Sequence, residues 1–212
     1  RPGRHVDERA QRPVDAFQGF ARRLDRGQGR PCRTYRRRGR SPVRTSCTRG
    51  TTGTSRAPRS FRWRATADLI AIDTGFLLAL LDAGDAWHAR AKAMAGTAAE
   101  GWITTWPVLT ETCHLLQREL GSPAAVALML DVADGGLAVW EIPPARQRDI
   151  PALMKRYAAL PMDLADASLV LLAEYLGHGR ILSTDLRDFG SCRWKSRKPF
   201  ANLMDPTTGP VR

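Results

Sequence analysis

Four acidic residues stand at positions from which they can act together on one substrate. Asp73 and Asp185 each follow a short apolar run that predicts a buried strand. Glu111 and Asp166 each fall near the beginning of a predicted helix. If the strands belong to one parallel sheet, all four carboxylates lie at its carboxyl edge, which is where open sheets of this kind bind ligands.

Carboxylates that converge in a small volume repel one another, so some must protonate or a cation must hold them. Ligand oxygens of this kind suit a hard ion, and the pattern predicts Mg²⁺ or Mn²⁺. Such an ion activates water and stabilises charge on a phosphate under attack, which predicts phosphodiester hydrolysis. Each acid also has an ordinary interpretation: Asp73 and Asp185 as caps of the following helix or turn, and Glu111 as a solvated side chain.

The elements that position these acids follow from apolar periodicity and from Pro, Gly and capping residues. The pattern predicts strands over 69–72, 102–105, 137–142, 181–184 and, at an edge, 200–204. It predicts helices over 74–81, 85–94, 107–120, 122–134, 149–157 and 163–177. Strands that alternate with helices indicate an α/β fold, with a central parallel sheet of four to five strands between two helical layers. Trp102, Trp106 and Trp140 lie in or beside strands, and we expect them in the core.

The segments around the acids carry a family resemblance. Ile72-Asp73-Thr74, Thr110-Glu111-Thr112, the run 162–168 (MDLADAS) and the run 183–189 (STDLRDF) resemble the successive motifs of PIN-domain ribonucleases, in order and with similar spacing. The resemblance covers about 138 residues, from near Ala67 to near Asp205. It implies a three-layer α/β/α sandwich and a ribonuclease that depends on Mg²⁺ or Mn²⁺.

The resemblance also implies roles for single residues. The family's four acids, which hold the metal, match Asp73, Glu111, Asp166 and Asp185. Thr184 resembles the hydroxyl that precedes the fourth acid and orients a water at the metal. Accessory roles are expected for two further acids of the same motifs, Asp163 and Asp188. Among PIN proteins a small bacterial chain of this kind resembles VapC-type toxins, which implies a small antitoxin protein as partner and a homodimer.

One of the two neighbouring acids in the third motif is the better candidate ligand. Asp163 is expected to cap the helix, which occupies its oxygens with backbone N–H groups. Asp166 then lies in the first turn, near the positive end of the helix dipole, where its ionised form is favoured. The sequence therefore assigns the metal to Asp166.

A basic loop follows the last motif, and its cations are Arg193, Lys195, Arg197 and Lys198. With the aromatic Trp194 it suits contact with RNA phosphates and stacking on a base, although a solvated connection has the same composition.

Charge divides the chain into two parts. Residues 1–64 hold 19 arginines, no lysine and 4 acids, a net charge of +15, whereas residues 65–212 carry −3. We expect residues 1–64 to be a disordered Arg-rich extension, because so little apolar area cannot offset the entropy of ordering. Its alternatives are an RNA-binding arm, a targeting arm, or translation of GC-rich DNA upstream of the true start. We expect residues 65–212 to be the PIN-like nuclease domain.

Other function classes fit the sequence less well. No run of 18 apolar residues indicates a membrane span, and the four cysteines form no CxxC pair, so we expect a protein of the reducing cytoplasm. An aspartyl-phosphate phosphatase needs a second Asp two residues after the first, whereas Gly75 stands there.

The main alternative to an RNA-cleaving toxin is a catalytically weak PIN-fold module that docks RNA or a protein. The expected substrate is single-stranded or accessible RNA, because side chains cannot read bases inside an A-form duplex.

Overall fold

The structure, a computed structural model, describes residues 69–97, 100–160 and 162–207. The Arg-rich segment 1–64 lies outside these residues, and the expectation that it is an extension stays a prediction. No helix in the described ranges is long and apolar enough to cross a membrane.

A parallel sheet of five strands forms the centre of the described fold. The strands in chain order are β1 (Leu69–Ile72), β2 (Gly101–Thr105), β3 (Ala138–Trp140), β4 (Arg180–Leu182), β5 (Arg193–Trp194), β6 (Lys198–Pro199) and β7 (Ala201–Asn202). The central sheet has the order β3-β2-β1-β4-β7, and every neighbouring pair is parallel. The other two strands, β5 and β6, form a separate antiparallel hairpin. The predicted parallel sheet is confirmed, and its fifth strand lies at an edge.

Helices connect the strands as the alternating pattern predicts. They are α1 (Thr74–Leu81), α2 (His88–Thr97), α3 (Trp106–Glu119), α4 (Ser122–Ala133), α5 (Asp149–Arg156), α6 (Leu164–Leu176) and α7 (Leu186–Ser191). Pro107 lies in the first turn of α3, where a missing N–H costs nothing. Gly177 ends α6 in the left-handed conformation, with φ of +80°.

Some boundaries differ from those predicted, each for a local reason. Asp85 does not cap α2 directly: its Oδ1 accepts from the N–H of Trp87 at 2.7 Å, which forms a turn before the helix begins at His88. Asp149 is the first residue of α5 rather than its cap, and its carboxylate pairs with Arg146 instead. Both the short helix α7 and the hairpin lie where the sequence shows no periodicity.

The core fills both sides of the sheet. β1 and β2 are buried at every residue, because helices cover both faces. Trp102 is in this core, with its ring edge-to-face against Phe76 at a centroid distance of 5.6 Å, as expected. Trp140 is half-buried and packs on Tyr175. The expectation for Trp106 is wrong: as the first residue of α3 it lies beyond the end of β2, and it is 45% exposed.

Candidate active site at the carboxyl edge of the sheet

Asp73 lies at the end of β1 and is 8% exposed. Its Oδ1 accepts from the N–H of Thr74 at 2.7 Å, so it caps α1, and its Oδ2 accepts from the hydroxyl of Ser183 at 2.7 Å. Burial raises the pKa of this carboxyl to about 6; the two hydrogen bonds oppose the rise, and the charge of Glu111 adds to it. The capping interpretation of Asp73 and its candidate functional role therefore apply to the same side chain.

Glu111 reaches the same edge from α3. The hydroxyl of Thr74 donates to its Oε2 at 2.7 Å, and this hydroxyl also lies 3.4 Å from the carbonyl oxygen of Val108. Thr74 is therefore fixed between α1 and α3, and it holds Glu111 beside Asp73. The helix start after β2 brings Glu111 to this edge, as its place in the sequence predicts.

Asp166 approaches from the first turn of α6. Asp163 is the N-cap, since its Oδ1 accepts from the N–H of Asp166 at 2.9 Å, and the N–H of Asp163 donates to Asp166 Oδ2 at 3.3 Å. The cap predicted for Asp163 is thus present as a reciprocal capping box. Burial raises the pKa of Asp166 to about 7, and the charges of Asp163, Asp73 and Asp188 add to this rise. The expectation that the helix dipole favours the ionised form of Asp166 is therefore wrong, because burial and the neighbouring acids outweigh the dipole.

Asp185 is the exposed member of the four acids. Its Oδ1 caps α7 by accepting from the N–H of Asp188 at 2.9 Å, and its own N–H donates to the hydroxyl of Ser183 at 3.0 Å. Ser183 thereby links Asp185 to Asp73. Behind this link, Asn202 of β7 accepts from the N–H of Ser183 at 3.3 Å and donates to its carbonyl at 3.0 Å.

Thr184 lies against the first turn of α1, where only a glycine leaves it room. A Cβ on Gly75 would lie 2.1 Å from the Thr184 hydroxyl oxygen. The Thr184 hydroxyl therefore packs directly against the backbone of Gly75, two residues after Asp73. This placement agrees with its expected accessory role, which stays a prediction.

The structure brings the predicted acids into one region, but their joint hold on an ion stays a prediction. In the described ranges no group of three or more His, Cys, Asp or Glu side chains has the geometry to hold a metal ion as the side chains stand. The donor chemistry nevertheless fits a hard cation. Burial raises the pKa of Asp73 and of Asp166, so a nearby cation would favour their ionised forms. The four candidate ligands are carboxylates, and oxygen is the ligand atom that hard cations prefer.

The predicted basic contacts separate into two kinds. Lys195, Arg197 and Lys198 are exposed on the β5–β6 hairpin, as an RNA contact requires. Arg193 is used within the protein, since one of its guanidinium nitrogens lies within 3.0 Å of the carbonyls of Gly190, Ser191 and Cys192. Trp194 is buried and donates its indole N–H to Pro199, so stacking of this ring on a base is excluded.

With this geometry in hand, comparison with known proteins assigns the family. The PIN domain model matches residues 70–191, which include all four acids. The chain belongs to the PIN domain family. A similar curated protein is Ribonuclease VapC26 of Mycobacterium tuberculosis (strain ATCC 25618 / H37Rv), 27% identical over 122 residues, which are 58% of this chain and 90% of that protein.

A solved structure supports the same relationship. The crystal structure of Mycobacterium tuberculosis VapC20, described as a Sarcin-Ricin loop cleaving toxin, superposes with a TM-score of 0.53 at 26% sequence identity. The match covers 56% of this chain and 92% of that one. The relatives with which this PIN domain aligns are of the VapC type, and the three-layer sandwich expected from the sequence is confirmed.

Three polar residues of the PIN site were not singled out by sequence reasoning. Thr74 and Ser183 lie within the quoted motifs, one residue after the first acid and two before the fourth, and this adjacency is a usable signal. Asn202 lies in the edge strand, 19 residues from Ser183, and nothing in the sequence indicates their pairing.

The raised pKa of Asp73 predicts a pH dependence of stability without metal. The carboxyl of Asp73 binds its proton more tightly in the folded protein than in the unfolded chain. The free energy of unfolding therefore falls as pH rises from 3.8 through about 6. Asp73→Asn removes this loss while Asn still caps α1. We expect the variant to be more stable than wild type at pH 8, by up to about 3 kcal/mol, and the difference to shrink towards pH 4. Urea unfolding in EDTA at both pH values measures it.

The exposed acid Glu141 offers a matched control for net charge. Glu141→Gln should show no comparable gain at pH 8. A gain in Glu141→Gln equal to that in Asp73→Asn would contradict a specific cost of burying Asp73.

Proposed function

We propose that this PIN domain is a metal-dependent endoribonuclease and the toxin of a bacterial toxin–antitoxin pair. The observation that carries the proposal is the buried Asp73, coupled to Glu111 and Asp166 at the carboxyl edge of the sheet, in a chain whose relatives are a ribonuclease and an RNA-cleaving toxin. The cytoplasm is the proposed compartment, because both the RNA and the partner are made there.

In this proposal Asp73, Glu111, Asp166 and Asp185 hold Mg²⁺ or Mn²⁺. When bound, the ion lowers the pKa of a water molecule and offsets charge that builds up on the phosphate. The chain's own residues set the geometry: Thr74 holds Glu111, Ser183 holds Asp73, and Thr184 orients the water. The water loses a proton as its oxygen bonds to phosphorus, the bond from phosphorus to the leaving ribose oxygen breaks, and that oxygen takes up a proton in turn.

The first test is metal dependence of RNA cleavage. We expect cleavage of a single-stranded RNA with Mg²⁺ or Mn²⁺ and none in EDTA, because the site offers carboxylates and no alternative nucleophile. The ion should also raise the melting temperature of wild type more at pH 8 than at pH 5, and should raise that of Asp73→Asn less. Cleavage that persists in EDTA would refute the mechanism, whereas binding of RNA without cleavage under any metal would favour the docking-module alternative.

The roles of the two acids at the start of α6 can be separated. Asp166→Asn should abolish cleavage with little loss of stability, since Asn can still complete the capping contact. Asp163→Ala removes the cap and should cost roughly 0.5–2 kcal/mol of stability, with cleavage retained by the folded fraction. Thermal melts paired with cleavage rates decide between them. A folded but inactive Asp163→Ala beside an active Asp166→Asn would reverse the assignment.

The surface of α4 supports a protein partner. Val126 and Leu130 are one helical turn apart and expose 58% and 59% of their area. Apolar side chains grouped in this way mark interaction surfaces. An antitoxin and a second copy of this chain are the partners that the VapC type implies.

A toxin assay tests the cellular role. Expression of wild type alone in bacteria should arrest growth, whereas Asp73→Asn, which folds but lacks a ligand, should not. Immunoblotting controls for equal amounts of the two proteins. If both forms arrest growth to the same extent, nuclease activity is not the cause of toxicity.

A further inference from the structure

The β5–β6 hairpin has a turn that its residues do not favour. Lys195 and Ser196 at the tip have φ of 45° and 62°, the left-handed region. The N–H of Arg197 donates to the carbonyl of Trp194 at 3.3 Å, so Lys195 and Ser196 are the central residues of a turn within the three-residue loop between Trp194 and Lys198. Positive φ at both central residues is the pattern of the type I′ turn, in which Asn and Gly predominate. Lys and Ser therefore occupy the tip at a conformational disadvantage, which points to a requirement for the side chains themselves.

Contacts on both sides keep this tip in place. The N–H of Lys195 donates to Glu174 of α6 at 2.9 Å, and Arg156 at the end of α5 donates to the Ser196 hydroxyl at 3.1 Å. Trp194 anchors the base of the hairpin in the core against α6. The hairpin is therefore a fixed projection rather than a loose connection.

Unpaired positive charge is concentrated on this projection. Arg156, Lys195, Arg197 and Lys198 are all exposed, and in the part of the chain that the structure describes none of them forms an ion pair. The nearby carboxylate of Glu174 is already taken by Arg146 and by the backbone of Lys195. The ammonium groups of Lys195 and Lys198 lie 5.6 and 4.8 Å from the ring centroid of Trp194, which positions the charges without neutralising them. Four cations in this arrangement suit an extended anion.

The hairpin also has a defined position relative to the acids. Its first strand follows Cys192, whose N–H donates to the carbonyl of Asp188 in the last motif. Its tip touches α6 at Glu174, eight residues along the helix from Asp166. At 1.5 Å per residue this is roughly 12 Å along the helix, so a phosphate at the hairpin is a different one from the phosphate at the acids.

We propose that the basic hairpin, together with Arg156, binds the backbone of single-stranded RNA at a phosphate other than the scissile one. The proposal rests on the proposed ribonuclease function and adds a second point of attachment for the substrate. Arg193, which caps α7, is not part of this contact. Phosphate contacts of this kind fix the register of the strand and carry no base preference.

Salt dependence of RNA binding tests the contact. The full chain carrying Asp73→Asn, which does not cleave, is titrated with a fluorescent 12-nucleotide RNA at 50 and 200 mM KCl. For each of Arg156→Gln, Lys195→Gln and Lys198→Gln, the ratio of the affinities at the two salt concentrations should fall about threefold, because one phosphate contact is lost. The Arg-rich segment 1–64 is the same in all variants, so its contribution cancels.

Arg118→Gln is the matched control. Arg118 is exposed in the last turn of α3, but its guanidinium pairs with Glu119 at 2.7 Å, so its charge is already offset within the protein. We expect its salt dependence to equal that of the parent protein. Equal salt dependence for the hairpin variants and the parent would overturn the proposal.

A turn-optimised variant separates binding from folding. Lys195→Asn with Ser196→Gly introduces the residue pair that a type I′ turn favours. Its melting temperature should rise while its RNA affinity falls. Unchanged or increased affinity in this more stable protein would overturn the proposal.

Substrate length distinguishes this inference from the ribonuclease function. With Mg²⁺ and Asp73 intact, Lys195→Gln should slow cleavage of a 12-nucleotide RNA but not of a dinucleotide, whose single phosphodiester occupies the cleavage site and leaves no phosphate for the hairpin. Equal slowing of both substrates contradicts the hairpin contact and leaves the nuclease intact. Failure of wild type to cleave either RNA contradicts the nuclease, while the binding titrations still judge the hairpin.

Discussion

Burial of a carboxylate at the end of β1 is the constraint on which the site depends. Water no longer solvates Asp73, so the ionised form needs donors from the protein or an external cation. The chain supplies donors from the backbone of Thr74 and Gly75 and from the hydroxyl of Ser183. They offset part of the cost and leave the pKa at about 6. A cation bound beside Asp73 would lower this remaining cost.

Much of the architecture was predictable, because it follows from short-range patterns. The apolar runs before Asp73 and Asp185 identify β1 and β4, and Pro107 and Gly177 mark a helix start and a helix end. The parallel sheet then brings the acids to one edge without any knowledge of the contacts between them. The role of Asp163 as a cap follows in the same way, from its place immediately before an apolar helix.

What could not be predicted are the contacts between segments distant in sequence. Nothing near Ser183 indicates that Asn202 holds its backbone, and nothing near Thr74 indicates that its hydroxyl meets Glu111. Periodicity also fails for short elements, such as the β5–β6 hairpin. Trp106 shows a further limit: residue type favours burial, but the chain has already left the sheet at that point.

The hydroxyl of Ser183 has a consequence for how charge is arranged around Asp73. It accepts from the N–H of Asp185 and donates to Asp73, so the three groups form a chain whose dipoles all point the same way. A backbone amide can only donate, and its direction is therefore set by covalent structure. The hydroxyl proton cannot turn towards that amide, and it remains directed at the carboxylate. Such one-way polarisation strengthens each bond in the series, and it preorganises the buried acid in its anionic form before any ligand arrives.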